Sequence, residues 1–116
     1  MSWDVHFVNG YSELVSVMVV FYSPDSCGEY GSWGTRGWWN INPGDSAYVL
    51  DTDNRYFGYY AESVDGLVWS GEYGPAYVHY AAFDSCLGIG DNNPETRIVG
   101  VRQLDLDVNN WWRLVE

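Results

Sequence analysis

The sequence is poor in positive charge, in cysteine and in histidine, and it contains no long apolar run. Only 5 basic residues stand against 16 acidic ones in a chain of 116, a formal charge of -11. Such a surface repels phosphate backbones and anionic headgroups over a Debye length, about 8 Å at physiological salt. Nucleic acid is therefore not an expected ligand. Basic protein surfaces, neutral sugars, zwitterionic lipids and a divalent cation stay open as partners. The longest apolar run, Val17 to Tyr22, is far too short to span a bilayer as a helix, so no transmembrane segment is expected. No basic and then apolar leader opens at Met1-Ser2-Trp3-Asp4-Val5-His6, so the expected location is the cytoplasm, with export by another route left open.

The small stock of reactive side chains limits the chemistry. Cys27 and Cys86 allow one disulfide or two reduced thiols, and the sequence alone leaves the pairing undecided. His6 and His79 each sit in an alternating stretch opposite apolar neighbours, which reads as strand histidine and not as a catalytic base. No G-x-S-x-G elbow, H-E-x-x-H pair or phosphate loop is present. Gly88-x-Gly90 lacks the third glycine and the following helix of a dinucleotide site. No catalytic residue is expected, and no zinc site either, since nothing in the spacing of these residues suggests one. Hard oxygen ligands alternate in Asp51-x-Asp53-Asn54 and in Asp105-x-Asp107-x-Asn109, as in calcium loops. Neither run continues into the glycine and distal glutamate of an EF-hand, so polar turns are the plainer reading and calcium is a weak cofactor candidate.

What the chain does have is aromatic and apolar residues in strand order. Hydrophobic residues make up 47 % and aromatics 18 %, with 7 Trp and 10 Tyr. That is enough to build a core in one domain spanning residues 1–116, despite the charge. The centre of the pattern is Gly37-Trp38-Trp39-Asn40-Ile41-Asn42-Pro43-Gly44. Alternation places Trp39 and Ile41 on one face and Trp38, Asn40 and Asn42 on the other, and only the first face reads as core. Pro43 and Gly44 predict a type I or II turn over Asn42 to Asp45.

Before this centre, Trp3, Val5 and Phe7 oppose Asp4, His6 and Val8, a first strand. Asn9-Gly10 predicts a hairpin into Leu14 to Tyr22, whose two apolar faces suit the middle of a sheet. Ser23 to Thr35 reads as a long loop whose aromatics, Trp33 among them, pin it to the body. After the centre come short strands at Ser46 to Leu50, Arg55 to Ser63, Leu67 to Gly71, Ala76 to Phe83 and Arg97 to Leu106, with Asp65-Gly66 closing a hairpin. Asp84 to Thr96 reads as a second long loop. The tail from Asp107 onward fits either a helical turn or a strand. About eight short strands without helical period predict an all-β fold, a small antiparallel β-sandwich with two long loops.

Gly37-Trp38-Trp39, Pro43-Gly44, Arg55 with Tyr59-Tyr60-Ala61, Trp69-x-Gly71 and Phe83-x-x-Cys86 resemble, in order and spacing, the bacterial family called domain of unknown function 1036. The resemblance spans about residues 5 to 106. It implies a small β domain and supplies no catalytic residue. The family pattern has a cysteine two residues after the Pro-Gly turn, where this chain has Ser46.

Aromatic recognition is then the expected function class. Trp33, Trp38, Trp111 and Trp112 fall in loops, at the tail or on the outward face of the central strand, with Asn40 beside Trp38. Tyr and Trp give large contact area at small entropic cost, although a small sandwich also uses indoles to fill its core. The first expectation is a non-catalytic acidic module docking on a protein partner with a basic surface. A module for carbohydrate or lipid headgroups comes second, and a small enzyme without a recognisable motif comes last.

Overall fold

A computed structural model describes residues 2–30, 32–87 and 96–115. Among them are ten strands: β1 (Trp3–Asn9), β2 (Val15–Tyr22), β3 (Trp33–Ile41), β4 (Ser46–Thr52), β5 (Tyr56–Ser63), β6 (Val68–Trp69), β7 (Gly74–His79), β8 (Phe83–Cys86), β9 (Thr96–Asp105) and β10 (Trp111–Leu114). They form two sheets. The smaller has the order β10-β1-β4, and the larger runs β7-β9-β5-β2-β3-β8 with β6 paired to β5. The fold is an all-β sandwich, antiparallel except where β10 lies parallel to β1.

The sandwich core lies between the sheets, because each facing strand contributes alternate apolar residues. Val5 and Phe7 of β1, Val15, Val17 and Val19 of β2, Ile41 of β3 and Phe57, Tyr59 and Ala61 of β5 are buried together. These are the positions that period-2 alternation selects. The other face of the larger sheet is covered too. Its β7–β9 end curls back so that Ala76, Val78, Val99 and Val101 meet Met18, Val20 and Tyr60 in a second core. β9 serves both cores, with Val99 and Val101 in the second and Leu104 in the first. Gly58 makes the second closure possible: a Cβ there would lie 2.6 Å from Val101 Cγ1 and 3.2 Å from Val20 Cβ. A central β2 with two buried faces is the outcome its sequence predicts.

Several expectations are corrected. Asn9-Gly10 does not close a hairpin: β1 pairs with β4 and β10, while β2 pairs with β3 and β5 in the other sheet. The cause is Asn9, which is fully buried. Its amide donates to Glu13 O and Ile41 O at 2.8 Å each and accepts from Tyr11 N at 2.8 Å, so it ties a crossover instead of capping a turn. Among the described residues, the first long loop holds a helical turn α1 (Pro24–Cys27), a 3-10 turn (Gly28–Tyr30) and the start of β3. The strand expected over Ala76 to Phe83 ends at His79; of the second loop, Asp84, Ser85 and Cys86 belong with Phe83 to β8, and Gly88-x-Gly90 and Asn93-Pro94 lie outside the described residues. The tail is strand β10. Asp51 and Thr52 belong to β4 and not to a turn.

Other local readings hold. Asp45 N donates to Asn42 O at 3.0 Å and Gly44 has φ +83°, the geometry of a type II turn. The Asp65-Gly66 hairpin pairs Ala61 with Trp69 and Glu62 with Val68. Cys27 and Cys86, whose pairing the sequence leaves undecided, form a disulfide with Cα atoms 5.6 Å apart, tying α1 to the edge strand β8.

Candidate functional site

The aromatic residues singled out by sequence do not form one patch. Trp112 points into the main core and donates from Nε1 to the buried hydroxyl of Tyr59 at 3.0 Å. Trp33 lies half-buried against the second core and lines an apolar cleft of about 290 Å³ with Val20, Tyr73, Pro75 and Leu87. Trp38 and Asn40 share a second cleft, and Trp111 stands alone on the outside of the smaller sheet.

Trp38 reaches its cleft through a bulge. In the β2–β3 register Val17 faces Trp39 and Met18 faces Gly37, so Trp38 is an extra residue, and the Gly37–Trp38 peptide bond is cis. A bulge re-aims the side chains beyond it. Past this one, Trp39 and Ile41 turn to the main core while Trp38 packs with the second, and the face expected to be outward is thereby half covered. The indole Nε1 donates to His79 O at 2.7 Å, and the ring meets Tyr60 and Phe83 edge-on, with centroids 6.3 and 5.8 Å away. Beyond Trp38 the cleft opens to about 280 Å³, lined by Ser16, Asn40, Glu62 and Tyr80. Asn40 Oδ1 accepts from Ser16 Oγ at 2.6 Å, an outcome of their pairing across the strands.

Glu62 closes the floor of this cleft by an ion pair with Arg97, and its Oε2 accepts from Tyr60 OH at 3.2 Å. The Arg97 guanidinium lies among three rings, 5.3 Å from that of Tyr80 and 6.0 Å from those of Trp38 and Tyr60. Burial alone would lower the Arg97 pKa, but the hydrogen bond and charge of Glu62 outweigh it and raise the value. Burial, then the charge of Glu62, raises the Tyr60 hydroxyl. Sequence reading missed this group because Glu62, Tyr80 and Arg97 come from separate strands and turns. The one signal was an arginine and a glutamate on apolar, alternating strands.

On the outer face of the smaller sheet, pairing sets side chains in rows. His6 faces Trp111 on one side and Tyr48 on the other, and Asp4 faces Asp51. His6 and Trp111 stack with centroids 3.8 Å apart and planes 4° apart, while Tyr48 lies tilted at 5.4 Å. Both outer rings are open to solvent, Trp111 by 49 % and Tyr48 by 53 %. Tyr48 OH donates to Asp51 Oδ1 at 2.8 Å, an attachment that raises the phenol pKa. The Asp4 carboxyl is held above its usual range, first because its protonated form can donate to Asp51 and then because the two carboxylates repel. Like charges directly opposite on neighbouring strands weaken a sheet.

The remaining candidates take other roles. Arg55 holds Asp105 by two hydrogen bonds of 2.7 Å, which lowers the Asp105 pKa and occupies its carboxylate. Asp105 N–H neighbours complete a turn in which Asp107 N donates to Asp105 Oδ1 at 3.1 Å. Asp51 answers Tyr48 from strand β4, and Asp53 lies in the exposed turn beyond it. Among the described residues, no three His, Cys, Asp or Glu side chains converge as metal ligands. His79 lies in β7 beside Phe83, in a different layer from His6. No helix among the described residues is long and apolar enough to cross a membrane. No family model, curated protein or solved structure matches the chain. The family resemblance therefore rests on the quoted residues alone.

Proposed function

We propose that this protein is a non-catalytic binding module that docks a basic protein segment on the outer face of the β10-β1-β4 sheet. The observation that carries the reading is the Asp4–Asp51 pair beside the exposed Trp111–His6–Tyr48 row. Two carboxylates that repel each other are relieved by an incoming ammonium or guanidinium, and the neighbouring indole face attracts the same cation. The charge of -11 adds long-range steering toward a basic surface. Rings supply contact area while the carboxylates set orientation, the division of labour expected of an interface anchor and its rim. The Cys27–Cys86 bridge supports work in an oxidising compartment, so we favour the export route over the cytoplasm.

The test is a titration of a short Lys/Arg-rich peptide followed by tryptophan emission at low and high salt. Wild type is expected to give a saturable change that salt weakens, Trp111→Ala to lose it, and Asp51→Asn to bind less tightly. Equal binding by all three proteins, or no response to the peptide, would overturn the reading.

A further inference from the structure

We infer that the cleft beside Trp38 is a binding site for a neutral sugar residue, separate from the docking face. Its lining combines flat aromatic surface with hydrogen-bonding groups that still have capacity. Tyr80 stands at the mouth, 66 % exposed, and Trp38 forms the inner wall. The electron-rich face of such a ring attracts the polarised C–H bonds on one side of a pyranose. Asn40 uses Oδ1 to accept from Ser16, while its two amide donors have no acceptor among the described residues. Each Glu62 oxygen accepts one hydrogen bond and keeps a second lone pair, and Ser16 Oγ can still accept. Adjacent donors and acceptors of this kind match vicinal hydroxyl groups, each of which both donates and accepts.

The electrostatics select against charged ligands. Glu62 and Arg97 neutralise each other in an ion pair at the floor, so the cleft offers no free cation to an anionic ligand. The net charge of the protein repels an anion further. A cationic ligand would find the Glu62 charge already balanced by the Arg97 guanidinium, which lies close enough to repel it. An apolar ligand would leave Asn40, Ser16 and Glu62 desolvated without partners, at a cost in affinity. A neutral polyol meets none of these penalties. The volume, about 280 Å³, lies near the small end of ligand sites and suits one ring at a time.

The experiment is a titration of the intact protein with neutral gluco-, galacto- and manno-configured disaccharides and one sulfated disaccharide, followed by nitrogen–proton NMR. At least one neutral disaccharide is expected to shift the Trp38 indole N–H and the Asn40 side-chain amide saturably, with the Trp111 indole unmoved. Asn40→Ala and Tyr80→Ala, both at exposed positions, are each expected to weaken binding by about tenfold, the equivalent of one lost neutral hydrogen bond or ring contact. Absence of a shift with every neutral disaccharide overturns the inference. So does a response to the sulfated sugar alone, or binding that both variants leave unchanged.

Discussion

Two pairs of adjacent tryptophans, Trp38–Trp39 and Trp111–Trp112, meet the same rule and end in different surroundings. In each pair one indole enters the main core, Trp39 from β3 and Trp112 from β10. Their partners part company. Trp38 is drawn under the returning β7–β9 end of the larger sheet and gives its N–H to His79, while Trp111 stays outside against His6. Alternation decides that neighbours take opposite faces. Whether the second face becomes core or surface depends on a third layer, which among the described residues only the larger sheet has.

The strongest way to sharpen this comparison is to truncate the two indoles of β10 separately. Trp112→Ala removes a large core ring and the shorter of two hydrogen bonds to the Tyr59 hydroxyl, leaving the one from Arg102 at 3.4 Å, so urea unfolding should register a loss of about 3–5 kcal/mol. Trp111→Ala should stay within about 0.5 kcal/mol of wild type. A large loss for Trp111→Ala would mean that the outer face is structural after all.

Reducing the Cys27–Cys86 bridge tests the surroundings of Trp38 from the side. The bridge spans 59 residues and anchors β8, whose Phe83 supports the Trp38 ring. Reduction should cost about 2–4 kcal/mol and shift the Trp38 indole resonance while leaving that of Trp111 in place. Gly58→Ala attacks the third layer itself. The added methyl meets Val101 at a distance no core tolerates, so thermal unfolding should show a loss of about 1–3 kcal/mol. Emission from Trp38 should move toward that of an exposed indole.

The smallest effect concerns Asp51→Asn. Asp4 has a raised pKa in the fold, so its contribution is fully favourable below the unfolded value and is lost as pH rises through the folded one. Removing the Asp51 charge should therefore raise the melting temperature slightly at neutral pH. The gain should vanish below about pH 4, where an ordinary aspartate protonates. Together with weaker binding of basic peptide, this would mark the pair as a functional arrangement kept at a cost in stability.

Much of the fold was legible because strand alternation is local. Val15, Val17 and Val19 against Met18 and Val20 announced a strand buried on both faces, and Pro43-Gly44 announced its turn. Asn9-Gly10 misled because a turn-forming dipeptide reports backbone preference, whereas this Asn9 is held by contacts with Ile41, Asp45 and Leu114, all distant in the chain. The candidate site was legible only in part. Trp38 and Asn40 were found by their shared face, but Glu62, Tyr80 and Arg97 join them through pairings of β2, β3, β5, β7 and β9 that no local pattern encodes.

The sequence by itself determined the class of structure, the acidic surface and the face each strand residue takes, since these follow from composition and from the geometry of an extended chain. Tertiary structure decided that β1 and β2 part into different sheets, that the larger sheet covers its own second face and that Cys27 meets Cys86. It also decided that Trp38 is partly covered while Trp111 stays open to solvent. Those outcomes depend on contacts between residues distant in the chain, where burial and shape, summed over two cores, outweigh local preference.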